Sequence, residues 1–150
     1  MSFDIEHDRE LYELLLKQSR TANFGFVVVG GSEPSTAPDV SSDRVRRRIR
    51  DADQMIVICG EYTGASTNAS AELHVAVQEG TPYFLLWGRR EMMCTKPAGA
   101  KSAEGMYSWT HQILQEQIAR ALRGARADAT AKNLRNTTRT VRSAGSGAVT

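Results

Sequence analysis

The chain has 150 residues, of which 41% are hydrophobic and 24% charged, and this is the composition of one folded domain rather than of a disordered chain. No apolar run reaches the roughly 18 residues of a membrane-spanning helix, and the acidic stretch MSFDIEHDRE lacks the features of a secretory signal. We therefore expect a cytoplasmic protein that does not contact a membrane. The two cysteines, Cys59 and Cys94, have no metal-ligand spacing, so no metal site is predicted.

The net charge of +2 hides an uneven distribution along the chain. Residues 121–150 carry six basic side chains and one acidic side chain, and beyond about residue 124 large apolar side chains are almost absent. Such a composition cannot supply a packed core. We therefore predict a folded domain over residues 1–122 and a basic, disordered tail over residues 123–150, which would contact nucleic acid only weakly.

Short apolar segments alternate with amphipathic segments along the first 123 residues. The predicted strands are residues 2–5, 24–30, 55–59, 83–88 and a very short segment near 106–109. The predicted helices are residues 8–20, 43–53, 71–80 and 108–123, with Ser41 or Ser42 capping the second and Ser108 capping the last.

This alternation predicts an α/β fold. Near-continuous apolar strands are typical of a parallel sheet that is covered on both faces, and its crossovers are right-handed. We expect a three-layer, doubly wound, flavodoxin-like sheet with strand order 2-1-3-4-5. Ligands of such sheets bind beyond the carboxyl ends of the first and third strands, which are here residues 3–6 and 60–62.

The stretch GEYTGASTNASAEL, residues 60–73, lies over that predicted crevice. Its second acid, Glu72, has two interpretations. If the following helix begins near Asn68 or Ser70, Glu72 falls in the first turn and complements the helix dipole. Alternatively, its carboxylate takes part in chemistry at the crevice.

Two further acids near the crevice are also ambiguous. Glu61 is either an exposed loop acid or an acceptor for ribose hydroxyls, and Asp4 either caps the first helix or binds a ligand. The arginines of RVRRRIR surround a narrow apolar stripe of Val45 and Ile49. We interpret them as a solvated basic face, with phosphate or nucleic-acid binding as the alternative.

Three segments in order, SFDIEHDRELYELL, IRDADQMIVICGEYTGAS and AELHVAVQEGTPYFLLWG, resemble the bacterial TIR-like family of the Thoeris anti-phage system over about residues 2–120. The resemblance implies a flavodoxin-like fold and cleavage of the nicotinamide N-glycosidic bond of NAD, sometimes with cyclisation of the ADP-ribose product. NAD is then a substrate, and no bound cofactor is implied. The catalytic glutamate of the family maps onto Glu72. The substrate-binding residues that we infer from the resemblance and from the crevice are Asp4, Gly60, Glu61, Tyr62, Ser66 and Asn68.

Two other functions remain open. The strand, loop and A-E-L-x-x-A helix are also similar to those of nucleoside 2-deoxyribosyltransferases, in which the residue corresponding to Glu72 is a nucleophile. Alternatively, the domain binds NAD or ADP-ribose, or associates with copies of itself, without catalysis. The TIR-like resemblance also implies self-association into a homo-oligomer.

Overall fold

The computed structural model of the protein describes residues 1–21, 24–34 and 38–144. Its helices are α1 (Arg9–Ser19), α2 (Pro38–Asp51), α3 (Thr67–Glu79) and α4 (His111–Ala144), with a short 3₁₀ turn at Thr63–Ala65. Its strands are β1 (Met55–Cys59), β2 (Tyr83–Trp87) and β3 (Met106–Ser108).

The three strands form one parallel sheet in the order β1-β2-β3. Every residue of β1 is buried, as is the centre of β2, which explains why both segments are continuous apolar runs. The predicted parallel α/β sheet is therefore confirmed for these strands.

Successive residues of β1 contribute to two separate hydrophobic clusters. Ile56 and Ile58 pack with residues of α1 and α4, whereas Met55, Val57 and Cys59 pack with residues of α2 and α3. This follows from the alternation of side chains along a strand. The sheet is thus covered by helices on both of its faces.

The first two predicted strands are not seen as strands. Ser2 alone makes a parallel bridge to Val57, and the chain then turns, with the Asp8 amide donating to the Asp4 carbonyl over 2.9 Å. The turn occupies residues 5–7, so a strand here does not extend past Asp4. Residues 24–30 pair with no strand in the described part of the chain. The five-stranded order 2-1-3-4-5 therefore stays a prediction.

Two helix starts differ from those predicted. Helix α2 begins at Pro38, so Ser41 and Ser42 lie inside it and neither is its cap. Helix α4 begins after Thr110, whose hydroxyl accepts from the Ile113 amide over 3.2 Å, and Ser108 is the last residue of β3. At the start of α4, Ser108 and Thr110 are both small polar residues, and composition alone did not identify Thr110 as the capping one.

Helix α4 continues to Ala144, past the predicted domain boundary at residue 122. The described side chains of residues 123–132 are all exposed, so this part of the helix adds nothing to the core. Alanine, arginine and lysine are strong helix formers, which explains a helix where the lack of large apolar residues had predicted disorder. The extent of the folded domain itself stays a prediction.

None of the helices in the described ranges is both long and apolar enough to cross a membrane. Within the same ranges, no three acidic, cysteine or histidine side chains are grouped as they would be around a metal ion.

Candidate functional site

Helix α3 determines where Glu72 lies. The helix begins at Thr67, and the Ser66 hydroxyl is its cap, accepting from the Ala69 amide over 3.4 Å. Glu72 is therefore in the second turn, where its carboxylate is beyond the unpaired N–H groups of the helix start. The interpretation of Glu72 as a first-turn capping acid is wrong.

The carboxylate of Glu72 is buried and held by residues from distant parts of the sequence. Only 5% of the residue is exposed. Its Oε2 accepts hydrogen bonds from the hydroxyls of Ser2 and Ser32, each over 2.5 Å. Its Oε1 lies 3.5 Å from Nη2 of Arg48 in α2. The site thus joins the first residues of the chain, the segment after residue 30 and two helices.

The surroundings of Glu72 shift the pKa of its carboxyl group in opposite directions. Burial raises the pKa of the Glu72 carboxyl above its ordinary value, because desolvation disfavours the charged form. The hydroxyls of Ser2 and Ser32 and the charge of Arg48 oppose that effect. A carboxylate in such a place can stabilise a developing positive charge or bind sugar hydroxyls without competition from water.

Asn68 lies one helical turn before Glu72, on the same face of α3. Its Nδ2 donates to the Phe3 carbonyl over 2.8 Å, and its Oδ1 accepts from the Ser66 hydroxyl over 2.9 Å and from the Ile5 amide over 3.5 Å. Asn68 therefore attaches residues 3–5 to α3, which keeps Ser2 beside Glu72. In this structure its polar atoms are occupied by the protein itself.

His7 contacts both Asp4 and Tyr62. Asp4 is buried, and its carboxylate accepts from the Glu6 amide over 3.0 Å and bonds Nδ1 of His7 over 2.8 Å. It caps the turn before α1 rather than α1 itself. The hydrogen bond to Asp4 raises the pKa of His7. The His7 ring stacks on the half-exposed ring of Tyr62, with 4.3 Å between centroids.

Gly60 and Glu61 follow β1 directly. The Gly60 amide donates to the Thr63 hydroxyl over 2.8 Å, and a Cβ at this position would lie 2.2 Å from Oδ2 of Asp8. Glycine is thus required for close packing on a buried carboxylate. Glu61 is exposed, and its carbonyl accepts from the Thr95 hydroxyl over 3.1 Å. A role for its side chain in binding ribose stays a prediction.

Four residues of this region were missed by the sequence interpretation: Ser2, Asp8, Ser32 and Arg48. Arg48 had been included in a solvated basic face, yet it lies three residues after Val45 and therefore borders the apolar stripe. That spacing could have singled it out among the arginines of α2. The two serines carry no such local signal.

Asp8 is almost completely buried, with 1% of the residue exposed. Burial raises the pKa of the Asp8 carboxyl, and the Arg89 guanidinium, 3.0 Å away, opposes that effect. Arg89 also donates to the His7 carbonyl over 2.9 Å. The pair of buried Asp8 and half-buried Arg89 holds the turn that carries His7 against the loop after β2.

A cavity of about 730 Å³ lies beside the Glu72 site. It is lined by Val29, Gly30 and Glu33 and by the charged side chains of Asp43, Arg44, Arg47, Arg48 and Asp51. Arg48 lines this cavity, and its guanidinium also contacts Glu72. A ligand in the cavity would therefore meet Arg48 before it meets the carboxylate.

Comparison with known proteins identifies the family. The sequence model described as "Thoeris protein ThsB, TIR-like domain" matches residues 1–90, more than half of the chain. The matched part includes Glu72 and the described residues that contact its carboxylate, Ser2, Ser32 and Arg48. No curated protein matches the chain. The earlier resemblance is thus confirmed, and the chain belongs to the TIR-like domain family of the Thoeris protein ThsB.

Proposed function

We propose that this domain cleaves the N-glycosidic bond of NAD, with release of nicotinamide and hydrolysis or cyclisation of the ADP-ribose part, in anti-phage defence signalling. The observation that carries the proposal is the buried carboxylate of Glu72, held by the hydroxyls of Ser2 and Ser32. Membership of the Thoeris TIR-like family supports the same conclusion.

A single carboxylate is sufficient for cleavage of the bond between nicotinamide and ribose. Nicotinamide leaves as a neutral molecule from a cationic ring, so its departure needs no strong general acid. The ribosyl centre gains oxocarbenium character as the bond breaks, and the Glu72 carboxylate stabilises that charge. The two serine hydroxyls on Oε2 occupy positions suited to ribose hydroxyls, so ribose would replace one or both of them as donor.

Arg48 suits the diphosphate of the same substrate. Arg48 lines the cavity of about 730 Å³, and this volume is within the usual range for small-molecule sites. Arginine binds phosphate oxygens through paired N–H groups. With the diphosphate at Arg48, the adjoining ribose would reach Glu72. Asp4, Gly60, Glu61, Tyr62, Ser66 and Asn68 complete the proposed substrate-binding region.

The test measures the release of nicotinamide from NAD by chromatography. The protein is assayed at low concentration, at high concentration and in the presence of a crowding agent. The wild type is expected to release nicotinamide, and Glu72→Gln should reduce the rate at least about 100-fold, as loss of one electrostatic group in an active site commonly does. Glu91→Gln, which alters an exposed acid in the loop after β2, is the matched control and should retain the wild-type rate.

A binding module without catalysis is the second candidate, because only 5% of Glu72 is exposed and its Oε2 already accepts two hydrogen bonds. This candidate is supported if the wild type releases no nicotinamide under any of these conditions but binds ADP-ribose unchanged. A deoxyribosyl adduct on Glu72 after incubation with a deoxynucleoside would instead establish the transferase function.

The finer features of the fold and assembly belong to the same proposal. We infer the complete flavodoxin-like strand order 2-1-3-4-5, a cytoplasmic location and association between copies of the domain. Light scattering across a range of protein concentrations, with and without NAD, tests the association. A constant monomer mass under all these conditions would contradict it.

A further inference from the structure

His7 carries an imidazole ring that is bonded through one nitrogen and open at the other. Its Nδ1 lies 2.8 Å from Oδ2 of Asp4. A carboxylate only accepts hydrogen bonds, so Nδ1 donates and Nε2 of the neutral ring keeps its lone pair. Among the described residues, none bonds Nε2 of His7. This nitrogen can therefore accept a proton from a bound molecule.

Two contacts hold the His7 ring in one orientation. The carboxylate of Asp4 is buried, and its second oxygen accepts from the Glu6 amide, which fixes the carboxylate in place. One face of the His7 ring stacks on Tyr62, with 29° between the two ring planes. The His7 side chain is nevertheless 42% exposed, so Nε2 is accessible. A buried carboxylate that orients an accessible imidazole is an arrangement by which enzymes position a histidine base.

The turn that carries His7 is attached to the residues around Glu72. Main-chain groups of residues 3–5 bond to the side chain of Asn68. Asn68 precedes Glu72 by four residues, which is a rise of about 6 Å along α3. The residue after His7 packs closely on Gly60, which follows β1. His7 therefore lies at the carboxyl end of the parallel sheet, where ligands of such sheets bind.

The proposed cleavage of NAD needs an acceptor for one proton. A water molecule or a hydroxyl of ADP-ribose that attacks the ribosyl carbon loses a proton as the new O–C bond forms. Both oxygens of Glu72 are already engaged, Oε2 by the hydroxyls of Ser2 and Ser32 and Oε1 by Arg48. Serine hydroxyls and a guanidinium do not take up a proton near neutral pH. A separate base is therefore required, and an imidazole is suited to this role.

The charges near His7 make its imidazole a stronger base. The hydrogen bond to Asp4 is the largest cause that raises the pKa of His7, and the negative charges of Asp4, Glu6 and Asp8 add to it. The neighbouring cation, Arg89, bonds the His7 carbonyl rather than its ring. A general base is most effective when its pKa is near the working pH, and the shift from 6.5 is in that direction.

We propose that His7, held by Asp4 and Tyr62, is the general base of the NAD cleavage proposed above, and this inference rests on that proposed function. The bond between nicotinamide and ribose breaks first, and its electron pair stays on the ring nitrogen of nicotinamide. A water molecule, or a hydroxyl of ADP-ribose in cyclisation, then forms the new O–C bond and transfers its proton to Nε2 of His7. The exposed imidazolium passes the proton to solvent.

Exchange of nicotinamide separates this role from a structural one. The ring nitrogen of nicotinamide carries no proton, so radiolabelled nicotinamide can attack the ribosyl centre and regenerate NAD without a base. His7→Asn retains a donor for Asp4 but removes the base. It should lower hydrolysis and cyclisation at least about 100-fold, with exchange of labelled nicotinamide into NAD at or above the wild-type rate. His74→Asn, at an exposed position of α3, is the matched control and should alter neither rate.

The pH dependence of the two reactions completes the test. In the wild type, hydrolysis relative to exchange should fall as the pH decreases through the pKa of His7, because the protonated ring cannot accept a proton. Titration of Glu72 affects both reactions, so it cancels in this ratio. Loss of hydrolysis in His7→Asn without nicotinamide exchange, or hydrolysis at the wild-type rate, overturns the role of His7 and leaves the proposed function in place. A wild type that neither releases nor exchanges nicotinamide overturns the proposed function, and the role of His7 with it.

Discussion

Nη2 of Arg48 lies 3.5 Å from Oε1 of Glu72, across the contact between α2 and α3. The side chains are only 17% and 7% exposed. Removing one member of a buried charge pair leaves the other charge desolvated without its partner, which is costly. Arg48 therefore contributes both to the contact between α2 and α3 and to the stabilisation of the charge on Glu72, the candidate catalytic group.

Replacing Arg48 tests that connection. Arg48→Met should lower the free energy of unfolding by about 1–3 kcal/mol, because it keeps the aliphatic volume but removes the partner of a buried carboxylate. Urea denaturation measures the change. Arg47→Met, at an exposed position of the same helix, should change it by less than about 0.5 kcal/mol. Equal effects of the two substitutions would mean that the Arg48–Glu72 contact has no energetic role.

The pH dependence of stability reports on Glu72. Because burial raises its folded-state pKa above the ordinary value of 4.5, the folded protein retains this proton where the unfolded chain has lost it. The resulting stabilisation is complete below pH 4.5 and is lost as the pH rises through the folded-state pKa.

The wild type should therefore lose stability relative to Glu72→Gln as the pH increases from 4.5 towards neutrality. Urea midpoints of both proteins, measured across that interval, check the sign. The raised pKa of Asp8 is common to both proteins and cancels in the difference. A difference that is constant with pH would contradict the shift assigned to Glu72.

Gly60 provides a test of close packing at the end of β1. An alanine Cβ there would meet the two carboxylate oxygens of Asp8 at 2.2 and 2.3 Å. Gly60→Ala should cost about 1–3 kcal/mol of unfolding free energy, as overpacking in a buried site usually does. Gly105→Ala is the control, since its Cβ would have open space around it. Both are measured by thermal and urea unfolding.

Asn68 should act by positioning the first residues of the chain. Asn68→Ala removes the bond to the Phe3 carbonyl, so Ser2 would be less firmly held beside Glu72. We expect a loss of about 1–2 kcal/mol in stability and a lower rate of nicotinamide release. Thr67→Ala, at the exposed neighbouring position, should change neither quantity. A loss of stability at an unchanged rate would exclude the positioning role.

Truncation after Gly124 tests the predicted domain boundary. The described side chains of residues 123–132 are exposed, so a chain ending at residue 124 should unfold at the same urea concentration as the full chain. It should also lose the weak, salt-sensitive affinity for DNA that the basic tail would provide. A marked fall in the urea midpoint would show that the distal part of α4 contributes to the core.

The parts of the fold that sequence reasoning predicted are those encoded locally. MIVIC and YFLLW are short apolar runs, and they form parallel strands that are buried throughout β1 and at the centre of β2. Gly80 was predicted to end α3, and it does so at φ 69°, a backbone conformation that glycine adopts readily.

The surroundings of Glu72 could not be predicted in the same way. The oxygens and nitrogens around its carboxylate come from residues 2, 32 and 48, which only tertiary structure brings together. The start of α3 was missed because Ser66, Thr67, Asn68 and Ser70 are all plausible at a helix start. For residues 24–30, β-branched composition indicated an extended backbone, but pairing depends on a neighbouring strand.

Helix α4 also affects how the protein moves in solution. With 34 residues and a rise of 1.5 Å per residue, it is about 51 Å long, whereas a compact chain of this length has a radius of gyration of roughly 15 Å. A rod of this length attached to a small body makes rotational diffusion anisotropic. Amide groups of α4 that lie along its axis would then relax differently in NMR from those of the β1-β2-β3 sheet, whether or not any ligand is bound.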